Sequence, residues 1–198
     1  MSQIVKDMKN QIKLRSDIPS FLKSHCIYKK ACEVGTRFGY NLEQIFAMNP
    51  DLLVAIDHYQ NTGKPEEQDT ELDQKKLNGI YNEVFMRFLN EPAVKIYRGK
   101  SNEIVHSFPK KFFDYVYIDA DHSYAGALAD IGVWWSRVRQ GGILAGHDYV
   151  DAKSKNGVDF GVIKAVHDFM EKMKIKKDNL HFTTEGYRTW MIFNEDGE

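Results

Sequence analysis

The stretch Lys30–Gly39, KACEVGTRFG, decides the reading of this chain. Ala31–Val34 suits a short buried strand, and Glu33 places a carboxylate near its end. Gly35 and Gly39 open a loop, and Tyr40–Met48 follows as a helix with Tyr40, Leu42, Ile45 and Phe46 at roughly helical spacing. Strand, glycine turn and helix form the first half of a nucleotide-binding α/β unit, in which glycine lets the backbone pass close to a ligand. A dinucleotide fingerprint carries glycine where Glu33 stands. An acid there suits an amine or hydroxyl instead.

The same grammar recurs downstream. Asn49-Pro50 makes a turn into the apolar strand Asp51–Asp57, whose closing acid falls 18 residues after Gly39. That spacing suits a carboxylate on ribose hydroxyls. Gln60–Gln74 is polar and acidic, a surface loop with a solvated face. Leu77–Leu89 has apolar residues three and four apart and reads as an amphipathic helix ended by Glu91-Pro92. Ala93–Arg98 is a third strand. Gly99-Lys100-Ser101-Asn102 turns into a helix over Asn102–Phe108, where Ser101 and Asn102 either cap the helix or border a purine.

Phe112–Asp119 is a fourth strand closed by an acid, followed by Asp121-His122-Ser123. These three either cap the next helix or act on a ligand. That helix runs over Tyr124–Arg139 to a stop at Gly141-Gly142, with Trp134-Trp135 read as core rather than interface. Ile143–Gly146 is a fifth strand leading into His147-Asp148-Tyr149, and Asp151–Gly161 is a polar loop placed where an active-site flap would sit. Val162–Met173 is a helix, and Leu180–Thr184 pairs antiparallel with Thr189–Phe193 at the sheet edge. His106 and His167 on helices, and His25 and His181 at the surface, need no function.

Alternating strands and helices imply an open, doubly wound, mostly parallel sheet with an antiparallel C-terminal strand pair. Ligands bind such sheets outside the carboxyl ends of the strands. Glu33, Asp57, Ser101, Asp119 and Asp148 all map to that edge. The whole chain, 1–198, reads as one domain: an N-terminal helical segment over 1–29 and a catalytic core over 30–193. Residues 2–15 form an amphipathic helix that packs on the core or lids its pocket, broken at Asp17-Ile18-Pro19.

The bulk numbers narrow the classes. A length of 198 residues suits one full core. A net charge of −1 argues against a nucleic-acid partner. No apolar run approaches the ~20 residues that span a bilayer, and the N-terminus has no apolar signal core. Two cysteines, Cys26 and Cys32, make no disulfide scaffold. The expectation is a reduced, cytoplasmic protein acting on a small molecule, with homo-oligomerisation left open.

Three ordered motifs resemble class I S-adenosylmethionine (SAM) methyltransferases of the catechol-type group. They are ExGxxxGY at Glu33–Tyr40, the adenine turn at Gly99-Lys100-Ser101-Asn102-Glu103-Ile104, and acids after the fourth and fifth strands at Asp119 and Asp148. The phrasing IDADHSY … GGILAGHDY is similar to small bacterial-type methyltransferases and to metal-dependent sugar and antibiotic O-methyltransferases. The resemblance covers residues 30–193 and implies a seven-stranded Rossmann-like sheet.

It also implies site roles. Glu33, Asn41 and the backbone around Gly35, Thr36 and Gly39 would hold the methionine end of SAM. Asp57 would take the ribose hydroxyls beside His58, and Ser101, Asn102 and Asp119 would complete the cofactor site. Asp119 and Asp148 would hold Mg²⁺ or another divalent cation, and His122 would accept the acceptor's proton. Tyr149 replaces the amide ligand of the catechol-type pattern, so His147 or Asp121 would have to substitute. A histidine-containing set also suits Mn²⁺, Fe²⁺ or Zn²⁺. The alternatives are a metal-free His122 base oriented by Asp148, an N-methyltransferase, a SAM-binding module without catalysis, and an NAD-linked oxidoreductase, the last disfavoured by Glu33.

Overall fold

The computed structural model describes residues 1–63, 72–153, 157 and 159–195. Parts of the 60–74 and 151–161 loops named above lie outside these residues. The five expected parallel strands form, the fifth starting earlier than expected: β1 (Lys30–Val34), β2 (Leu52–Asp57), β3 (Val94–Arg98), β4 (Phe113–Ile118) and β5 (Val138–Gly146). The C-terminal pair is β6 (Leu180–Phe182) and β7 (Trp190–Phe193). Together they make a seven-stranded sheet in the order β3-β2-β1-β4-β5-β7-β6. β1 to β5 are mutually parallel, while β7 runs antiparallel to both β5 and β6. The chain winds outward from β1 to β3 and then crosses back to lay β4 on the other side of β1. That reversal opens a crevice at the carboxyl ends of β1 and β4.

Side-chain alternation along the strands supplies two apolar layers. On one face, Ala31, Leu53, Ala55, Tyr115, Tyr117 and Ile143 pack against α1 (Gln3–Gln11), α2 (Ile18–Ser24), α3 (Tyr40–Phe46) and α4 (Gln74–Arg87). On the other, Cys32, Val34, Val54, Ile56, Val116 and Leu144 meet α5 (Ser101–Ile104), α6 (Tyr124–Trp135) and α7 (Val162–Lys172). Trp134 and Trp135 lie in this second layer, 0% and 5% exposed, as core residues.

Several boundaries differ from the sequence expectation, each for a local reason. α1 ends at Gln11 because Asp17 accepts hydrogen bonds from the amides of Lys13 and Leu14, fixing a tight turn before α2. Pro19 then sits in the first turn of α2, where its missing N–H costs nothing. α4 begins at Gln74, capped by the Asp73 carboxylate on the amide of Lys76, and leaves Phe85 and Leu89 exposed. The helix expected over Asn102–Phe108 is a single turn, α5, followed by a 3₁₀ turn.

The largest correction concerns residues 136–142. α6 stops at Trp135, and Gly141-Gly142 lie inside β5 instead of ending the helix. The β4–β5 register jumps there, from Phe113 opposite Val138 to Tyr115 opposite Ile143. Gly141 takes φ +71°, and a Cβ on Gly142 would fall 2.7 Å from the carbonyl oxygen of Asp114. The bulge turns Arg139 onto the Asp114 carboxylate, which also accepts from the amide of Lys30.

Candidate active site

At the switch point the strand ends surround a cavity of about 1030 Å³. Its lining includes Glu33, Gly35, Thr36, Asn41, Asp57, His58, Ser101, Asn102, Asp119, His122, His147 and Asp148, so twelve of the thirteen sequence-named residues converge on one space. Gly39 is the exception among them. It supplies the left-handed N-cap of α3, at φ +76°, and shapes the loop from behind.

The β1 loop is held by contacts that the sequence dictates. Gly35 has φ +86°, and a Cβ there would lie 1.9 Å from the carbonyl oxygen of Asp119. Only glycine lets β1 and β4 exit side by side at this point. Glu33, 1% exposed, accepts a hydrogen bond from Asn41 Nδ2 at 2.6 Å on one oxygen, and its other oxygen, Oε2, is buried without a partner. Burial pushes its carboxyl up to about 8, against the smaller opposing effect of the Asn41 bond. A buried, half-satisfied acid facing a cavity is a ready receptor for a cationic donor.

Asp57 closes β2 and is held in place on both sides. Its Oδ2 accepts from the amide of Arg37 at 2.9 Å and its Oδ1 from the amide of Tyr59 at 2.8 Å. Each oxygen keeps a further lone pair for hydroxyls. His58 follows it on the lining and accepts from the amide of Gln60 at 2.9 Å. Tyr40, at helical spacing with the buried Leu42 and Ile45, is itself 68% exposed at the cavity mouth.

The 99–102 turn answers its own alternative. Ser101 makes no cap bond; its hydroxyl donates to the carboxylate of Asp130. Asp130, 8% exposed on α6, also lines the cavity, and burial raises its carboxyl to about 6 against the Ser101 bond. The sequence reading missed it. The available signal was an acid on the apolar stripe that carries Ala127, Ile131 and Trp134.

Around β4 and β5 the two readings of Asp121-His122-Ser123 divide between residues. Ser123 caps α6 by accepting from the amide of Gly126, and Asp121 accepts from the amide of Ser123. His122 turns away from the helix. Its Nδ1 donates to Asp148 Oδ2 at 2.9 Å, and its ring stacks on Phe160 at 4.8 Å. His147 Nδ1 donates to Asp148 Oδ1 at 3.2 Å and lies 3.9 Å from Asp119. Burial alone would raise the Asp148 carboxyl, but the two imidazoles hold it well below the usual range. Burial likewise pulls His122 down, and the Asp148 bond outweighs it so that the ring is raised overall. Asp148 itself has φ +54°, a left-handed conformation uncommon for a residue other than glycine.

That turn sends the next side chain out of the cavity. Tyr149 packs on Phe182 at 5.1 Å and bonds His167 through its hydroxyl at 2.7 Å. It occupies no ligand position. Among the described residues, Asp119, His122 and Asp148 each offer one atom within 4.8 Å of the others, a set that differs from the expected Asp119–Asp148–His147 by one imidazole. Two carboxylates and an imidazole fit a borderline transition cation better than Mg²⁺. Both Asp148 oxygens, however, are already engaged by imidazoles.

Four further lining residues carried no local signal: Arg15, Lys153, Phe160 and Tyr187. Tyr187 stacks on His147 at 6.4 Å and meets Phe160 edge-on at 6.4 Å. They come from the segment after α1, the loop after β5 and the β6–β7 turn.

Comparison with known proteins agrees with this architecture. The family described as "Methyltransferase domain" matches residues 32–149, more than half of the chain. No curated protein matches the sequence. Among solved structures, a Staphylococcus aureus protein provisionally described as a caffeoyl-CoA O-methyltransferase is similar, with 17% identity, coverage of 98% of this chain and 93% of that one, and a TM-score of 0.61. TomG from Streptomyces achromogenes, an O-methyltransferase of tomaymycin synthesis in complex with SAM, has 13% identity, coverage of 98% and 91%, and a TM-score of 0.58. Spermidine synthase from Thermotoga maritima shares the fold too, at 12% identity, coverage of 93% and 60%, and a TM-score of 0.55. These likenesses establish the fold, and the family match carries the assignment: the chain belongs to the methyltransferase-domain family and is a class I SAM-dependent methyltransferase.

Proposed function

We propose that the protein transfers a methyl group from SAM to a hydroxyl of a small molecule, with His122, oriented by Asp148, accepting the hydroxyl proton. The observation that carries this reading is the 2.9 Å bond from His122 Nδ1 to Asp148 Oδ2 in the lining of the cavity. It fixes the tautomer with the proton on Nδ1 and leaves Nε2 as a proton acceptor. SAM supplies a methyl carbon activated by a sulfonium sulfur. The chain's residues supply position and proton transfer, which an in-line displacement requires.

At the cofactor end, Glu33 Oε2 receives the methionyl ammonium, supported by its missing partner. Asp57, fixed by the amides of Arg37 and Tyr59, receives the ribose hydroxyls. Ser101, Asn102 and Asp130 border the adenine. At the acceptor end, His122 Nε2 would take the hydroxyl proton as the methyl carbon exchanges its bond to sulfur for one to oxygen, leaving S-adenosylhomocysteine, and Asp148 would stabilise the imidazolium. Phe160 and Tyr187 wall off this end, which suits a flat or partly apolar acceptor. Several of the structural relatives are described as O-methyltransferases, which supports oxygen as the nucleophile.

A second reading has Asp119 and Asp148, with His122 or His147, hold a divalent cation that acidifies the acceptor hydroxyl. The close approach of Asp119, His122 and Asp148 supports it. One experiment separates the two. Phenolic, sugar and amine acceptors are screened with SAM for release of S-adenosylhomocysteine, with EDTA and with Mn²⁺ or Mg²⁺. Hydroxyl methylation that persists in EDTA is the expected result. Activity confined to amines would remove the hydroxyl assignment, and strict metal dependence would replace the base by the cation.

A further inference from the structure

We propose that Arg15 is the receptor for the methionyl carboxylate of SAM, the partner of Glu33 in reading a zwitterion. This inference rests on the proposed function above and assigns a residue from outside the strand-end motifs.

Among the buried polar atoms of the described lining residues are two, without a partner in the structure, that carry opposite character. Glu33 Oε2 is an acceptor, and Arg15 Nε is a donor. The Arg15 guanidinium lies over the ring of Tyr117, 5.0 Å from its centroid. Tyr117 on β4 is the register partner of Glu33 on β1. Paired strands are ~4.8 Å apart, and register partners present their side chains on the same face. The guanidinium therefore lies over a ring of the strand next to that of Glu33, on the same side of the sheet. Burial raises the carboxyls of Glu33 and Asp119, and Arg15 is close enough to oppose that rise in both. An α-amino acid presents an ammonium and a carboxylate from one carbon, so an orphan acceptor beside an orphan donor matches it on both charges. Arginine suits a carboxylate because its planar fork donates two parallel bonds.

The position of Arg15 is set in advance by its surroundings. The Asp17 carboxylate holds the amides of Lys13 and Leu14. The Arg15 amide donates to Glu185 Oε1 at 2.8 Å, and the Thr184 amide donates to the Lys13 carbonyl at 2.8 Å. The segment is thus tied to the β6–β7 turn, which itself brings Tyr187 to the cavity. Such anchoring lowers the ordering cost of engaging a ligand.

The test is calorimetric titration of wild type and Arg15→Met with SAM and with decarboxylated SAM, which keeps the ammonium and loses the carboxylate. Wild type is expected to bind decarboxylated SAM about 10- to 150-fold more weakly, the range for a hydrogen bond to a charged group. Arg15→Met is expected to lose a similar factor for SAM and less than about twofold for the analogue, in line with that pairing. A variant that binds SAM as wild type does, or that weakens both ligands equally, overturns the assignment. So does unchanged SAM affinity with a raised acceptor KM, which would move Arg15 to the acceptor. Wild type that binds both ligands equally overturns it without any variant, should Arg15→Met not fold. Wild type that binds neither ligand removes the proposed function itself.

Discussion

The two ends of the cavity are built by different means. The end proposed for the cofactor is built mainly from short, contiguous pieces: strand, glycine turn and helix around Glu33–Asn41, then Asp57 at the next strand end and Ser101 at the third, with Arg15 and Asp130 added from elsewhere. Backbone amides hold Asp57 there, those of Arg37 and Tyr59. The acceptor end is assembled from distant segments, with His122, Asp148, Phe160 and Tyr187 meeting only through the fold. Its acid is held by side chains, as His122 and His147 hold Asp148. The first end is a property of the strand-turn-helix pattern and suits a fixed cofactor. The second is free to vary with the acceptor.

The largest expected effect would erase the contrast by removing the turn on which both ends depend. Gly35→Ala places a Cβ against the Asp119 carbonyl oxygen in a left-handed conformation. A loss of at least ~3 kcal/mol in unfolding free energy is expected by denaturant titration. Wild-type stability in that variant would contradict the close approach of β1 and β4.

Next in size is a change confined to the acceptor end. His122→Ala should lower turnover ~10²- to 10⁴-fold on an acceptor found by the screen. SAM affinity, measured by calorimetry, should remain within about threefold, since the loss is that of a proton acceptor and not of a cofactor contact. Loss of SAM binding instead would show that the two ends are not separable. Asp57→Ala is the mirror experiment. It should weaken SAM by roughly 10- to 100-fold, the loss of a charge-assisted contact to the ribose. Full affinity in that variant would take Asp57 out of the site.

The effect that is smallest per pH unit, and the most diagnostic, concerns Glu33. Its carboxyl, ordinarily near 4.5, is raised to about 8 in the folded chain. Between those values the unfolded chain has released a proton that the folded chain retains, so stability falls as pH rises through that window. The slope is at most ~1.4 kcal/mol per pH unit. Glu33→Gln should remove this slope in thermal melts of the ligand-free protein while weakening SAM binding. A slope unchanged by the substitution would assign the pH dependence elsewhere. Loss of the slope would show that the cofactor end is costly in the empty protein and useful only when filled.

The same contrast explains how much the sequence discloses. The succession of strands and helices, the two-faced sheet and the strand-end acids follow from local periodicity, from glycines that no other residue replaces, and from strand ends that the topology brings to one edge. Ser101 lies on the cavity lining, and the capping alternative fails because its hydroxyl's partner, Asp130, comes from another helix. The overextension of α6 to Arg139 has a physical source. Val138 continues the apolar pattern, and a glycine pair that resembles a helix stop is instead a bulge opposite Asp114. Arg15, Phe160 and Tyr187 bear no such local mark. Their positions depend on contacts between separate segments: Phe160 stacks on His122, Tyr187 on His147, and the Arg15 amide bonds Glu185, 170 residues away.

Calorimetric titration of EDTA-treated protein with SAM, repeated with Mn²⁺ and Mg²⁺, tests the central claim most directly. Micromolar binding in EDTA, unchanged by either cation, is the predicted result: a cofactor end formed by the chain's own acids and amides, beside a histidine–aspartate pair that needs no metal. Absence of SAM binding by the folded protein, at any metal concentration, would contradict it.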